Sequence, residues 1–324
     1  MCSGALDVGV DVRTRIRVIA LVLVAASLLV VGFGYATGTE SAFDRAVWSD
    51  QPVDHSASVG PAAENVTVIT TDSNTWRGLG VEGPRSRSEI VALDENGSIL
   101  YYDADRHTRY WDVDPVPGKP LTVEYVYADH LEGAICETTN ATQHGVDQET
   151  WERYEAAREV EGVCTRNGID RVNLSTGEVT PVWSIITPGK DETRYHDADR
   201  IDETHWVVAD IYFDRVFVVN VSSGRIDPIW NASDSFSTDA GGPYPTDWTH
   251  INDVEVLPDG RIMVSVRNLD QVVFIDPESG LDAAWTLGAD DEHDVLYEQH
   301  NPDFIPASAG GPAVLVSDSE NGRV

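Results

Sequence analysis

Three histidines and one arginine stand out by their local context. His196 lies in Arg194-Tyr195-His196-Asp197-Ala198-Asp199, and His250 lies in Asp247-Trp248-Thr249-His250-Ile251-Asn252-Asp253. His300 lies in Glu298-Gln299-His300-Asn301-Pro302. Each precedes a pair of β-branched or aromatic runs, so all three are expected at one phase of a repeating unit. Arg267 ends the run Arg261–Arg267 (RIMVSVR), seventeen residues after His250, and a hairpin there would return it to the same end of its unit. Imidazoles titrate near neutral pH and can attack as nucleophiles or carry protons. A guanidinium presents a planar fork to two oxygens of an anion. Together these groups suit the handling of an anionic group, where donors and cations stabilise charge on peripheral oxygens. The other six histidines, His55, His107, His130, His144, His205 and His293, are expected in ordinary surface or turn positions, with His205 facing solvent.

The elements that must position these residues are strands. After residue 40, short β-branched and aromatic runs alternate with Gly, Pro, Asn and Asp turns, which predicts an all-β chain. A unit of strand, polar turn and glycine recurs at Ser88–Gly97, Asp170–Gly177, Asp214–Gly224 and Asp270–Gly280. Trp183, Trp230 and Trp285 follow the last three glycines, on what would be the next strand. The starts at 170, 214 and 270 are 44 and 56 residues apart, which is a blade period with loop insertions. The expected fold is therefore a β-propeller over residues 85–324, with 37–84 as linker and first strands. A β-sandwich is the alternative, but it does not require the recurring unit. Gln148–Val160 reads as a helical insertion near 147–160, with Asp147 as its N-cap. Cys136 and Cys164 flank it and are either one disulfide or two buried thiols. The final Gly322-Arg323-Val324 looks like Asp214-Arg215-Val216, so the chain is expected to stop as a further blade begins.

Charge and hydropathy bound the setting. There are 22 Lys+Arg against 55 Asp+Glu, for a net charge of −33, and only Lys119 and Lys190 are lysines. No basic stripe is present, so nucleic acid is excluded as a partner. The aromatic content argues against disorder. Such charge self-repels in dilute buffer but is screened within about 3 Å at 1 M salt, so a halophilic source is expected. Residues 18–36 carry no charge and nearly span a hydrocarbon core of about 30 Å. Arg13, Arg15 and Arg17 precede them, which predicts a cytoplasmic 1–17, a single-pass signal-anchor and an extracellular remainder. A cleaved signal peptide is the alternative. Six N-x-[ST] sequons, at Asn65, Asn96, Asn140, Asn173, Asn220 and Asn231, all follow this segment and suit a glycoprotein of the cell surface.

The segments DWTHINDVEVLPDGRIMVSVRNLDQVVFID, RYHDADRI and EQHNPDF resemble the arylsulfate sulfotransferases, propeller enzymes that need no nucleotide cofactor. The similarity covers about residues 165–324, and more loosely the chain from about 85. It identifies the chain as a membrane-anchored, haloarchaeal-type, C-terminally truncated member of that family, whose full-length relatives have six blades. The resemblance implies sulfuryl transfer from an aryl sulfate donor to a phenolic acceptor, through a transiently sulfated histidine and without a cofactor or metal. By motif, His300 is the nucleophile. His196, His250 and Arg267 are the groups that hold the sulfuryl oxygens, and Asn252 is the asparagine beside the central histidine. The family usually has Asp after Gln-His, where this chain has Asn301.

Blander readings stand beside this one. The histidines could instead tie inter-blade turns to backbone, leaving a non-catalytic surface propeller that binds an anionic or glycan ligand or a protein partner. The acidic clusters Asp290-Asp291-Glu292 and Asp197/Asp199/Asp202 lack EF-hand spacing and read as solvated loops. No Gly-rich phosphate loop, zinc-type Cys/His cluster or serine-hydrolase elbow is visible.

Overall fold

The computed structural model describes residues 66–72, 88–158, 162–190 and 192–324. The chain divides after Pro52, and the unit Val53–Val324 holds all of these. The expected anchor at 18–36 and the sequon at Asn65 lie outside the described residues. Among the described residues, no helix is long and apolar enough to cross a membrane.

Among the described residues, five antiparallel sheets follow one another. The first is β1 (Thr67–Thr70), β2 (Ile90–Leu93) and β3 (Ile99–Asp103). The second is β4 (Arg109–Pro115), β5 (Thr122–Glu132), β6 (Val163–Asn173) and β7 (Glu178–Pro188). The third is β8 (Ala198–Arg200), β9 (His205–Asp210), β10 (Arg215–Asn220) and β11 (Arg225–Asn231). The fourth is β12 (Ile251–Val256), β13 (Ile262–Val266) and β14 (Gln271–Asp276), closed by the short β15 (Gly280–Leu281) and β16 (Leu287–Gly288). The fifth is β17 (His300–Ile305) with β18 (Ala313–Ser317). Each is a meander of sequential neighbours, which gives the chain a propeller-like architecture.

Side-chain period explains why the sheets stack. In β9, Trp206 and Val208 pack toward the second sheet with Val126 and Ile169, while Val207 and Ala209 pack toward the fourth with Val254 and Val264. In β13, Ile262, Val264 and Val266 face back while Met263 faces forward onto Phe304 and Val314. Alternate residues thus bury against opposite neighbours, and strands covered on both faces read as continuous apolar runs.

The recurring turn has a physical cause. Asp94, Asn173, Asn220 and Asp276 each accept two backbone N–H groups of the turn they open, at 2.8–3.1 Å. The glycine that closes each turn has a positive φ, 71° at Gly177, 72° at Gly224, 78° at Gly97 and 84° at Gly280. This register corrects the repeat. Asn167 stands six residues before Asn173, as Asp214 and Asp270 stand six before Asn220 and Asp276. The unit of the second sheet therefore starts at Asn167 and not at Asp170. Trp183 and Trp230 do lie on the following strands, β7 and β11, but Trp285 lies in a short 3-10 turn and is 37% exposed.

Cys136 and Cys164 form a disulfide, with Cα atoms 5.4 Å apart. Between them, α1 (Ala141–His144) and α2 (Gln148–Ala156) fill the β5–β6 connection. The Asp147 side chain accepts Thr150 N at 2.7 Å, as an N-cap does. The amide oxygens of the sequon residues Asn140, Asn173 and Asn220 are likewise engaged in capping.

Candidate functional site

The innermost strands β4, β8, β12 and β17 carry a shared pattern. Asp112-x-Asp114, Asp197-x-Asp199, Asp253-x-Glu255 and Asn301-x-Asp303 line one channel. Strand pairing aligns the first three: Val113 opposes Tyr125, Ala198 opposes Val208 and Val254 opposes Val264. Each of these residues directly follows an aspartate, namely Asp112, Asp197 or Asp253. Backbone bonds align the fifth sheet with them, because Glu255 accepts Phe304 N as Asp199 accepts Val256 N, which puts Asn301 level with Asp253. Three residues before these four stand Arg109, Arg194, His250 and Glu298, and one residue before them stand Trp111, His196, Asn252 and His300. The three histidines therefore do not share one phase. His196 and His300 do, level with Asn252, but His250 sits two residues earlier, where Arg194 stands in its sheet.

Every proposed site residue nevertheless reaches one place. His196, His250, Asn252, Arg267 and His300 line a single cavity of about 760 Å³, together with Arg109, Trp111, Glu192, Arg194 and others. That volume lies within the roughly 300–1,000 Å³ of small-molecule sites.

Three buried side chains hold the loops that deliver the histidines. Asn167 accepts Tyr195 N at 2.9 Å, Asp214 accepts Thr249 N at 3.0 Å, and Asp270 accepts Glu298 N at 2.9 Å. Each is the unit-start residue of one sheet gripping the entry to the next. His250, Glu298 and Asn301 take left-handed φ of 47°, a conformation costly for a residue with a Cβ. Asn tolerates that region better than most residues, which accounts for Asn301 at its position.

Hydrogen bonds set the state of two imidazoles. His300 Nδ1 lies 3.0 Å from the Glu298 carbonyl oxygen, which can only accept, so Nδ1 carries the proton and Nε2 the lone pair. Ser319 Oγ lies 2.9 Å from the same Nδ1. Burial, and then the charge of Arg267, push the His300 imidazole below its ordinary value, which favours the neutral form. Arg267 Nη1 donates to His250 Nε2 at 3.0 Å, so His250 holds its proton on Nδ1 and gives it to Asp247 Oδ1 at 2.6 Å. Glu192 lies 3.3 Å from the same Nδ1. Burial works to raise the Asp247 carboxyl, but the hydrogen bond from His250 and the Arg267 charge hold it below its usual value. Burial, reinforced by His250, Arg194, His300 and Arg267, drives the His196 imidazole far below its ordinary value, and its Nε2 meets no partner among the described residues. Asn252 Nδ2 donates to the Gln299 carbonyl at 3.0 Å. Gln299 is wholly buried and spans to Ser265 and Gln271, so the glutamine of the Gln-His element anchors β17 to β13 and β14.

Arg267 returns to His250 by the hairpin expected from the sequence, since Val266 opposes Ile251. Asp247, which holds His250, was missed, and so were several residues of this cavity, namely Glu192, Arg109, Trp111 and Arg194. The signal that could have found the last three is the Asp-x-Asp element, read as the anchor of the repeat. That element also corrects the solvated-loop expectation. Asp197 is buried, and Asp197 and Asp199 accept Val254 N and Val256 N of the next inner strand at 2.5 and 2.7 Å. Glu255 accepts Phe304 N at 2.8 Å in the same way. Asp112 and Asp197 share a hydrogen bond, and burial pushes both carboxyls well above their ordinary value, reinforced by repulsion from Asp197 and Asp114 at Asp112 and from Asp253 and Asp114 at Asp197. Asp202 is exposed, as expected, and pairs with His205, whose side chain is 37% exposed. His107, His130 and His144 depart from expectation, because all three side chains are buried.

Glu192, Asp247 and His250 bring three ligand-type atoms within 4.8 Å of one another. Arg267 bonded to the far nitrogen of His250 and Arg194 within 3.6 Å of Glu192 make this an ion-pair network rather than a metal cradle.

Among solved structures, the chain is similar to a protein of unknown function from Bacteroides caccae (12% identity, TM-score 0.41, 74% of each chain covered). It is also similar to regucalcin, a calcium-binding protein from Agrobacterium tumefaciens (14%, TM-score 0.39, 69% of this chain and 62% of that one). A third is the Dos1 propeller (9%, TM-score 0.38, 75% of this chain and 46% of that one). No curated protein matches the chain. Residues 149–309, just under half of the chain, match the family model described as arylsulfotransferase (ASST); the stretch contains His196, His250, Asn252, Arg267 and His300 and supports sulfuryl transfer as the class of activity.

Proposed function

We propose that the protein is an aryl sulfotransferase that moves a sulfuryl group from an aryl sulfate to a phenol through a sulfated His300. The observation that carries this reading is the convergence of His300, its Nε2 lone pair fixed by the Glu298 carbonyl, with Arg267, His250 and His196 in one cavity. In the first step, the His300 Nε2 lone pair forms the N–S bond as the S–O bond to the aryl oxygen breaks, and the phenolate leaves with that electron pair. In the second, the acceptor phenol oxygen attacks sulfur, the N–S bond breaks, and the phenol proton passes to a neighbouring base. Arg267, with the unpartnered Nε2 edge of His196, faces the charge that builds on the sulfuryl oxygens. His250, backed by Asp247 as a histidine is backed in a hydrolase triad, takes the phenol proton on Nε2 when Arg267 Nη1 leaves that nitrogen for the sulfuryl oxygens.

Burying His300 as a neutral group keeps its lone pair available near pH 7. The whole protein is read as a six-bladed propeller of the cell surface, anchored through residues 18–36, in a halophilic organism. The test is turnover of an aryl sulfate with a phenolic acceptor in high salt. The account expects activity in the wild type and loss of essentially all of it in His300→Ala. Unchanged turnover in that variant removes His300 as nucleophile, and aryl sulfate binding without turnover in the wild type favours a non-catalytic surface propeller.

A further inference from the structure

The cavity has a second wall that the sulfuryl-transfer scheme does not use. It is built by Arg109 and Trp111 of β4 and by Arg194 of the loop before β8. Arg109 and Arg194 occupy, in the second and third sheets, the position that His250 occupies in the fourth. The fold thus points three equivalent residues at one space, one of them an imidazole and two of them guanidiniums.

Both arginines are held but not spent. Arg109 is 97% buried, and its Nη1 lies 2.7 Å from both carboxylate oxygens of Asp72. Its Nε has no partner among the described residues. Arg194 reaches Glu192 at 3.6 Å and the Lys190 carbonyl at 3.3 Å, and its Nε is likewise without a partner. Trp111 lies against His196, ring centroids 4.1 Å apart, and its indole N–H is a third buried donor with no acceptor. Buried donors without acceptors are costly and uncommon in folded proteins, and three gathered in the side chains of one cavity wall leave it with unspent capacity to bond an anion once those side chains turn toward it.

The surroundings agree. His130 packs behind the wall with neither ring nitrogen bonded, its imidazole pushed down to about 3 by burial and by Arg109, Arg194 and Lys190. Burial and the Arg194 charge pull Arg109 down to about 10, the mark of two cations held close together. An incoming anion relieves that repulsion, while an uncharged group does not.

We propose that Arg109, Arg194 and Trp111 form a second anion subsite that selects aryl substrates carrying a carboxylate or other anionic substituent besides the sulfuryl group. The proposal rests on the sulfotransferase reading for the word substrate, but the subsite itself can be tested without turnover. Titration calorimetry of the full chain, at one fixed high salt concentration, compares benzoate with benzamide. Benzoate is expected to bind at least about ten-fold more tightly. Arg109→Gln and Arg194→Gln should each erase most of that difference, and Arg194→Gln, the less buried site, keeps the test valid if Arg109→Gln does not fold. Equal binding of the two probes overturns the proposal. So does a difference that survives Arg194→Gln but disappears in Arg267→Ala, because the anion would then sit at the sulfuryl end.

A kinetic arm follows, comparing 4-carboxyphenyl sulfate with its carboxamide. Preference for the carboxylate, lost in Arg194→Gln, supports the subsite, and turnover without preference overturns it. Failure to turn over either compound, with benzoate binding intact, refutes the sulfotransferase reading and leaves the subsite standing.

Discussion

The two halves of the cavity are built from neighbouring positions of one repeat and do opposite things with them. In the fourth and fifth sheets those positions hold His250 and His300, imidazoles whose tautomers are set by Asp247, Arg267 and the Glu298 carbonyl. In the second and third sheets the position of His250 holds Arg109 and Arg194, permanent cations leaning on Asp72 and Glu192. A group that must form and break a bond needs a lone pair and a pKa near ambient pH, and a guanidinium has neither. A group that must only hold an anion is better as a guanidinium. The repeat thus supplies positions, and residue type divides the labour between reaction and binding.

The sharpest way to break this comparison is at Asp247. An asparagine there can turn its amide N–H toward His250 Nδ1, which forces the proton onto Nε2 and into Arg267 Nη1. Asp247→Asn is therefore expected to lower kcat on the order of 10²–10⁴-fold, with a smaller change in KM, measured as steady-state turnover of an aryl sulfate. If kcat holds, His250 is not the proton carrier, and the histidine half loses its claim to chemistry.

A smaller effect separates the halves by pH. His300 must be neutral to attack, and its pKa is lowered by burial and Arg267. Activity is gained as pH rises through that lowered value, so the acid limb of kcat/KM should have its midpoint below 6.5, the ordinary histidine value. Arg194 lowers the His196 imidazole, whereas the cation that acts most on His300 is Arg267. Arg194→Gln should then change KM for anionic substrates while leaving the limb where it is. A wild-type midpoint at or above 6.5, or a limb that moves with Arg194, joins what the comparison separates.

Much of the histidine half was legible in the sequence because its signals are local. His250 and Arg267 are joined by one hairpin, and Pro258-Asp259-Gly260 announces the turn. The Asx-to-glycine turns were equally plain, since each is a four- or five-residue hydrogen-bonding device. The arginine half was hidden by a phase error. Aligning Asp170 with Asp214 displaced the second unit by three residues, and placing His196 level with His250 concealed Arg194. Only strand pairing, which ties Val113 to Tyr125 and Ala198 to Val208, fixes the true phase. The buried carboxylates of the inner strands were misread for a related reason. In so acidic a chain an aspartate pair looks like solvated surface, and nothing local reveals that Asp197 and Asp199 bind the backbone of a strand more than fifty residues away.

The central claim, a covalent sulfuryl group on His300, is open to one direct measurement. The full chain is mixed with excess aryl sulfate without acceptor, quenched under alkaline conditions that preserve an N-sulfated imidazole, digested and analysed by mass spectrometry. The account predicts one added SO₃ group on the peptide that contains His300, discharged by a phenol before quenching and absent from His300→Ala. Release of the aryl product with no SO₃ on that peptide, or with SO₃ on His196 or His250 instead, would contradict it.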